Sequence, residues 1–181
     1  MSKNLTEKTI NSQKVYAGRV VNLRLDTVEL PDGRQTKREV IEHRGAVAVV
    51  PILQSDTIVM VRQYRQPVGE TLLEIPAGTL DDGENPYNCA HRELIEETGY
   101  SAGKLEKMFS SYLAPGYSSE MLHTYIAENL AAVGARAEAD EFLDVVLIKL
   151  DDALGKIQQG EIKDAKTICG LLMAMRTLNR G

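Results

Sequence analysis

Apolar and polar positions change rhythm several times along the chain, and each change marks an element. From Asn22 onward to Leu30 they alternate, the period of a half-buried strand. Pro31-Asp32-Gly33-Arg34 follows as a turn, and residues 37–43 return as a second polar–apolar strand. Residues 13–44 together read as a strand meander, too poor in apolar surface to stand alone. Gly45 to Leu53 is instead a nearly unbroken apolar run, as expected of a strand buried on both faces. Gln54-Ser55-Asp56 turns the chain into another strand over 57–65, and Leu72-Leu73-Glu74-Ile75-Pro76-Ala77 leads to Gly78.

Helical spacing begins at Pro86. Asn85 is a good N-cap, Pro86 suits the first helical position, and Gly99 supplies a left-handed stop. At roughly 100° per residue, Tyr87, Ala90 and Leu94 share one face, while Glu93, Glu96 and Glu97 gather on another. Beyond it the pattern predicts a short strand over 104–110, a loop over 113–120 and a strand over 122–126. His123 reads as a satisfied sheet histidine. An acidic, alanine-rich loop over 129–141 and a last strand over 142–150 follow. Helices over 151–158 and 164–179 close the chain, the second with a core-facing stripe of Ala165, Ile168, Leu171, Leu172, Met175 and Leu178.

Composition narrows the class. The 181 residues suit one domain with a small appended subdomain, and 43% apolar content with two Phe and no Trp predicts an aliphatic core. A net charge of −5 without a basic block argues against a general nucleic-acid binder, so an anionic ligand would need local arginines or metal. No apolar run approaches the roughly 20 residues of a membrane span, and the N-terminus lacks a signal segment. Cys89 and Cys169 are too few for a disulfide framework; a cytoplasmic setting is expected, with both thiols packed. Cys89 and His91, two apart on a helix, point away from each other and do not make a nucleophile–base pair. For Tyr16, Tyr64 and Tyr117, packing is expected rather than stacking on a ligand.

The three clustered glutamates are the odd feature. Carboxylates at i and i+4 repel, and a helix selected only for stability would alternate its signs. With Glu84 just upstream, the cluster makes sense where a divalent cation such as Mg²⁺ or Mn²⁺ neutralises it.

Gly78, Glu84, Arg92, Glu93, Leu94, Glu96, Glu97, Gly99 and Tyr100 fill every defined position of G-x5-E-x7-R-E-U-x-E-E-x-G-U, where U is bulky and apolar. The stretch therefore resembles the Nudix box, and the likeness covers roughly residues 45–178. Val61-Arg62-Gln63-Tyr64-Arg65-Gln66-Pro67, the approach to Gly78 and Pro115, which falls 15 residues past Tyr100, resemble the ADP-ribose pyrophosphatase branch. That resemblance implies an α/β (α+β) fold, an α/β/α sandwich around a mixed sheet with an N-terminal antiparallel β subdomain. Residues 1–44 would form the dimerising meander and 45–181 the hydrolase domain.

It further implies Mg²⁺-dependent hydrolysis of ADP-ribose to AMP and ribose 5-phosphate, with Mn²⁺ a possible substitute and roughly two or three ions per site. Glu93, Glu97, Glu96 and the Ala77 carbonyl would bind metal, and Arg92 would orient the glutamates. Glu84 would brace the loop or bind an outer ion. Arg65 would contact the diphosphate, with Arg38 and Glu42 as cross-subunit substrate contacts in a homodimer and Glu120 a further carboxylate nearby. The general base would come from the acidic loop, where Ala139 interrupts the usual run and Glu138, Asp140 and Glu141 remain open choices. GDP-mannose or another nucleoside diphosphate sugar is the alternative substrate. A non-catalytic ADP-ribose sensor is the alternative class.

Overall fold

The structure is a computed structural model and describes residues 5–54, 56–134 and 142–178. The chain forms two compact units: Met1–Gly45 with Tyr112–Met121, and Ala46–Ser111 with Leu122–Gly181.

The first unit is an antiparallel sheet in the order β1 (Lys8–Ala17), β2 (Asn22–Glu29), β3 (Gln35–Glu42). β1 begins earlier than the apolar pattern predicts, because all ten of its residues are exposed and no buried face marks its start. The alternation along β2 also breaks. Asp26 and Val28 are the buried positions, at 4% and 5% exposure, instead of Leu23 and Leu25. Asp26 tolerates burial because the Ser12 hydroxyl donates to it at 2.6 Å and Arg24 Nε at 3.0 Å. The 112–121 segment is tied to β3 by Ile41 N–H donating to Tyr117 O and Ser119 N–H donating to Ile41 O.

The second unit is a seven-stranded mixed sheet between helices. Its main path runs β10 (Leu143–Lys149), β5 (Thr57–Arg65), β4 (Ala46–Gln54), β9 (Met121–Ala132), β8 (Tyr100–Tyr112); β6 (Glu70–Glu74) pairs with β5 and β7 (Ala77–Thr79) with β4. β4 and β9 run parallel, whereas β10–β5, β5–β4, β4–β7 and β5–β6 are antiparallel. β8 and β9 are longer than expected, so residues 129–132 are strand and not loop. Residues 135–141, the rest of the expected acidic loop, lie outside the described residues.

β4 is the centre. Val47 and Val49 face α1 (Pro86–Thr98), packing with Cys89, Ala90 and Leu94. Ala46, Ala48, Val50 and Ile52 face the other way, toward α2 (Leu150–Gln158) and α3 (Ala165–Leu178), with Ala153, Leu171 and Ala174. One strand thus serves two cores, which is why its sequence is apolar without alternation. The fold is the expected α/β/α sandwich. No described helix is long and apolar enough to cross a membrane.

Close approach of α3 to the sheet depends on Gly170. A Cβ there would lie 2.9 Å from Ile75 Cδ1 and 3.0 Å from Val50 Cγ2, both fully buried side chains. Gly170→Val is expected to destabilise the protein by about 2 kcal/mol or more, beyond any gain in helix propensity. Urea unfolding with an unchanged midpoint would refute this.

Candidate active site

α1 is set as its sequence predicts. The Asn85 side chain accepts from Tyr87 N–H at 2.8 Å, Pro86 opens the helix, and Gly99 closes it at φ 75°. Ala90 and Leu94 are fully buried, while Tyr87 leaves their face in part, 48% exposed and edge-on to Tyr125.

The acidic face is not a solvated one. Glu93 is 9% exposed and Glu97 3%. Glu97 Oε2 accepts from Ala77 N–H at 3.1 Å, which pins the helix to the start of β7. Glu93 lies over Gly78 so closely that a Cβ on that glycine would come within 1.9 Å of its carboxyl carbon. Here the glycine is required for space rather than for backbone freedom.

Arg92 holds the carboxylates together. Its Nη1 donates to Glu93 at 2.7 Å and to Glu96 at 2.9 Å, and Nε and Nη2 donate to Glu84 at 3.1 and 3.0 Å. Glu84 also accepts from Asp81 N–H at 3.0 Å, so the loop between β7 and α1 is closed on the same guanidinium. The hydrogen bonds from Arg92 keep the Glu84 carboxyl at a pKa of about 2. Glu84 thus ties Asp81 of the loop to Arg92 of α1. Burial, with Glu84 beside it, pushes the Cys89 thiol up to about 12, which rules it out as a thiolate nucleophile. Cys169 departs from expectation: it is exposed.

Arg65, at the end of β5, pairs with Glu74 through Nη2 at 2.6 Å. Burial opposes its charge, but Glu74 first, then Glu97 and Asp164, outweigh that and raise its pKa. Lys166 joins the same Glu74 carboxylate at 3.0 Å and reaches Asp164 at 3.0 Å. Thr167 N–H and hydroxyl donate to Asp164, and Ile75 N–H donates to the Thr167 hydroxyl at 3.0 Å. This chain of contacts carries α3 to within two residues of Ala77. No motif or periodicity in the sequence marks Glu74 or Lys166. A charged residue inside the apolar run Leu72 to Pro76 was the available signal, since a buried carboxylate needs partners.

Arg38, Glu42 and Glu120 belong to the first unit. Arg38 forms a two-pronged pair with Glu7, 2.6 Å at its shorter contact, and Glu42 pairs with Arg24. Glu120 lies 3.9 Å from His43 Nδ1, which accepts from the Gly45 N–H at 3.1 Å. Tyr16, Tyr64 and Tyr117, expected to pack, are 59%, 55% and 58% exposed. Glu138 and Glu141 lie outside the described residues.

Residues 42–171 match the model of the NUDIX domain. The chain belongs to the Nudix family. Ahead of the Nudix domain, residues 7–41 match the nucleoside diphosphate sugar hydrolase N-terminal domain. This Nudix chain is 44% identical to an ADP-ribose pyrophosphatase of Bacillus subtilis, over 91% of its length and 90% of that protein's. It is 45% identical to a methanol dehydrogenase activator of Bacillus methanolicus, over 93% and 92%. A GDP-mannose pyrophosphatase of Citrobacter koseri matches at 35% identity over 88% and 91%. A solved ADP compounds hydrolase superposes with a TM-score of 0.87 at 25% identity, covering 98% of this chain and 97% of that one.

The Nudix-box residues fit a divalent metal. Their donors are hard oxygens, and the missing Cβ at Gly78 leaves a cradle filled by the Glu93 carboxylate. Among the described residues no three His, Cys, Asp or Glu side chains are gathered as a cage; Arg92 is the counter-charge that Glu93 and Glu96 meet in this arrangement. Gly78→Ala must displace that carboxylate while leaving the fold, since a side-chain end can move. The expected outcome is Mg²⁺ affinity lowered about 10- to 100-fold with little change in Tm. Calorimetric titration with Mg²⁺ checks it, and unaltered affinity would refute it.

Proposed function

We propose that this Nudix hydrolase cleaves the diphosphate bond of ADP-ribose in the presence of Mg²⁺: water adds across the bond, giving AMP and ribose 5-phosphate. What supports this most is the burial of Glu93 and Glu97, at 9% and 3% exposure, against the Ala77–Gly78 backbone. The substrate is suggested by the 44% identity to an ADP-ribose pyrophosphatase along nearly the whole chain.

Glu93, Glu97 and the Ala77 carbonyl would hold the ions, with Glu96 a further ligand or a group that holds water. Mn²⁺ is a reasonable substitute, and on the order of two or three ions per site suits a diphosphate. When bound, such ions neutralise phosphate charge and polarise the attacked phosphorus. The protein's own groups do the rest. Arg92 sets the direction of Glu93 and Glu96, and Glu84 keeps the loop from opening. Arg65 offers a planar fork suited to two phosphate oxygens. Glu138, Asp140 or Glu141 would accept the proton from the attacking water. A chain with two free cysteines and no described membrane helix suits the cytoplasm.

Glu97→Gln is expected to lower turnover at saturating Mg²⁺ by at least about 10²-fold, the scale of losing a positioned charge-stabilising group. Near-normal turnover would remove Glu97 from the site. The GDP-mannose pyrophosphatase relative keeps a second substrate in view. Hydrolysis rates across ADP-ribose, GDP-mannose, UDP-glucose and NADH, with products identified, separate the two. The proposal expects ADP-ribose to lead. Tight ADP-ribose binding without cleavage would make the chain a binding protein instead.

A homodimer through the N-terminal strands is also proposed. Every residue of β1 is exposed, including Ile10, Val15 and Tyr16 at 46%, 56% and 59%, and apolar side chains left bare on an edge strand invite a partner. Sedimentation should show a dimer that Val15→Lys weakens; a monomer in the unaltered protein would end the idea.

A further inference from the structure

Two cations meet the carboxylate of Glu74, and they differ in freedom. Arg65 donates from Nη2 at 2.6 Å and from Nε at 3.2 Å, and its side chain is 36% exposed. Lys166, in the first turn of α3, donates from Nζ at 3.0 Å and is 12% exposed. Lys166 is held a second time by Asp164. Asp164, just before the helix, is itself fixed by the Thr167 N–H at 2.9 Å and hydroxyl at 2.6 Å. Moving Lys166 therefore means disturbing the start of α3. Moving Arg65 means only turning a half-exposed side chain.

Glu74 is 2% exposed. Were Arg65 its sole partner, each turn of that guanidinium toward another anion would strand an ionised carboxylate out of water, among the most costly states a protein can hold. Lys166 removes that obstacle. Asp164 is less dependent on Lys166, because the helix N-terminus and two Thr167 donors already stabilise its charge.

We propose that Lys166 is a positioning residue: it stays on Glu74 as the permanent counter-charge and so frees Arg65 to bind a phosphate of the substrate. This rests on the assignment of Arg65 as a diphosphate contact. It adds a part for α3, which the Nudix box does not include, and it places the control of a partly exposed arginine in a buried ion pair beside it.

ADP-ribose is the probe, with binding measured by calorimetry in EDTA so that no turnover is needed, and KM and kcat measured with Mg²⁺. Lys166→Met is expected to weaken binding about tenfold, with the loss falling on KM more than on kcat. Lys166→Arg should recover most of it. In an Arg65→Ala background, Lys166→Met should cause no further loss, because its effect passes through Arg65. An equal further loss there, or unaltered binding in Lys166→Met while Arg65→Ala weakens it, overturns the inference alone. Unaltered binding in Arg65→Ala overturns the diphosphate contact, and this inference with it. If Lys166→Met does not fold, Glu74→Gln/Lys166→Met carries the test, since a neutral amide needs no counter-charge. That double variant is expected to bind ADP-ribose about as well as the unaltered protein, and loss of binding in it counts against the inference.

Discussion

A carboxylate taken out of water must be met by a positive charge or by several hydrogen-bond donors, and this constraint arranges the second unit. Glu74, Glu93 and Glu97 are all nearly inaccessible, at 2%, 9% and 3% exposure. Glu74 and Glu97 are met by groups distant in sequence, and Glu93 by the neighbouring Arg92. Glu74 meets Arg65 and Lys166, Glu93 meets Arg92 above the bare backbone of Gly78, and Glu97 meets the Ala77 N–H. The three carboxylates thereby tie β5, β6, β7, α1 and α3 around one short stretch, residues 74–78.

The hydrophobic core supplies the rigidity this requires. β4 sends Val47 and Val49 to α1 and Ala46, Ala48, Val50 and Ile52 to α2 and α3, so both helix layers rest on a strand that hydrogen-bonds to β7. Small residues set the distances. Gly170 lets α3 close on Ile75 and Val50, and Gly78 lets the Glu93 side chain close on the loop. Packing and charge are in this sense one design, because the loop can be held only where the helices approach closely enough to reach it.

Much of this was legible in the sequence, and the exceptions share a cause. The ends of α1 follow from Asn85, Pro86 and Gly99 because caps are local chemistry. β4 reads as doubly buried because the apolar run from Gly45 to Leu53 is nearly unbroken. The Glu93–Glu96–Glu97 cluster is plain because helix geometry turns spacing into proximity. The Glu74–Lys166 contact spans 92 residues, and no periodicity connects its ends. The start of β1 carries no signal because an exposed strand has no inside to write into its pattern. Asp26 escapes the pattern because alternation assigns the buried face to leucines, whereas the buried carboxylate is met by Ser12 and Arg24.

Partner burial also separates the arginines that the sequence treats alike. Arg38 stands opposite Glu7, and Arg34 opposite Asp32, both acids well exposed, at 34% and 52% for their side chains. Water solvates either partner when such a pair opens, so the pair restrains its arginine only weakly. Arg65 is different, because its partner is buried and cannot be solvated if abandoned. An arginine in that position is useful for binding only if something else satisfies the carboxylate it leaves. Arg92 carries the same logic to its limit: with Glu84, Glu93 and Glu96 all on one guanidinium, it has no donor group to spare and is suited to holding other side chains in place. The division between an arginine that orients and an arginine that can bind is thus set by what their carboxylates would face alone.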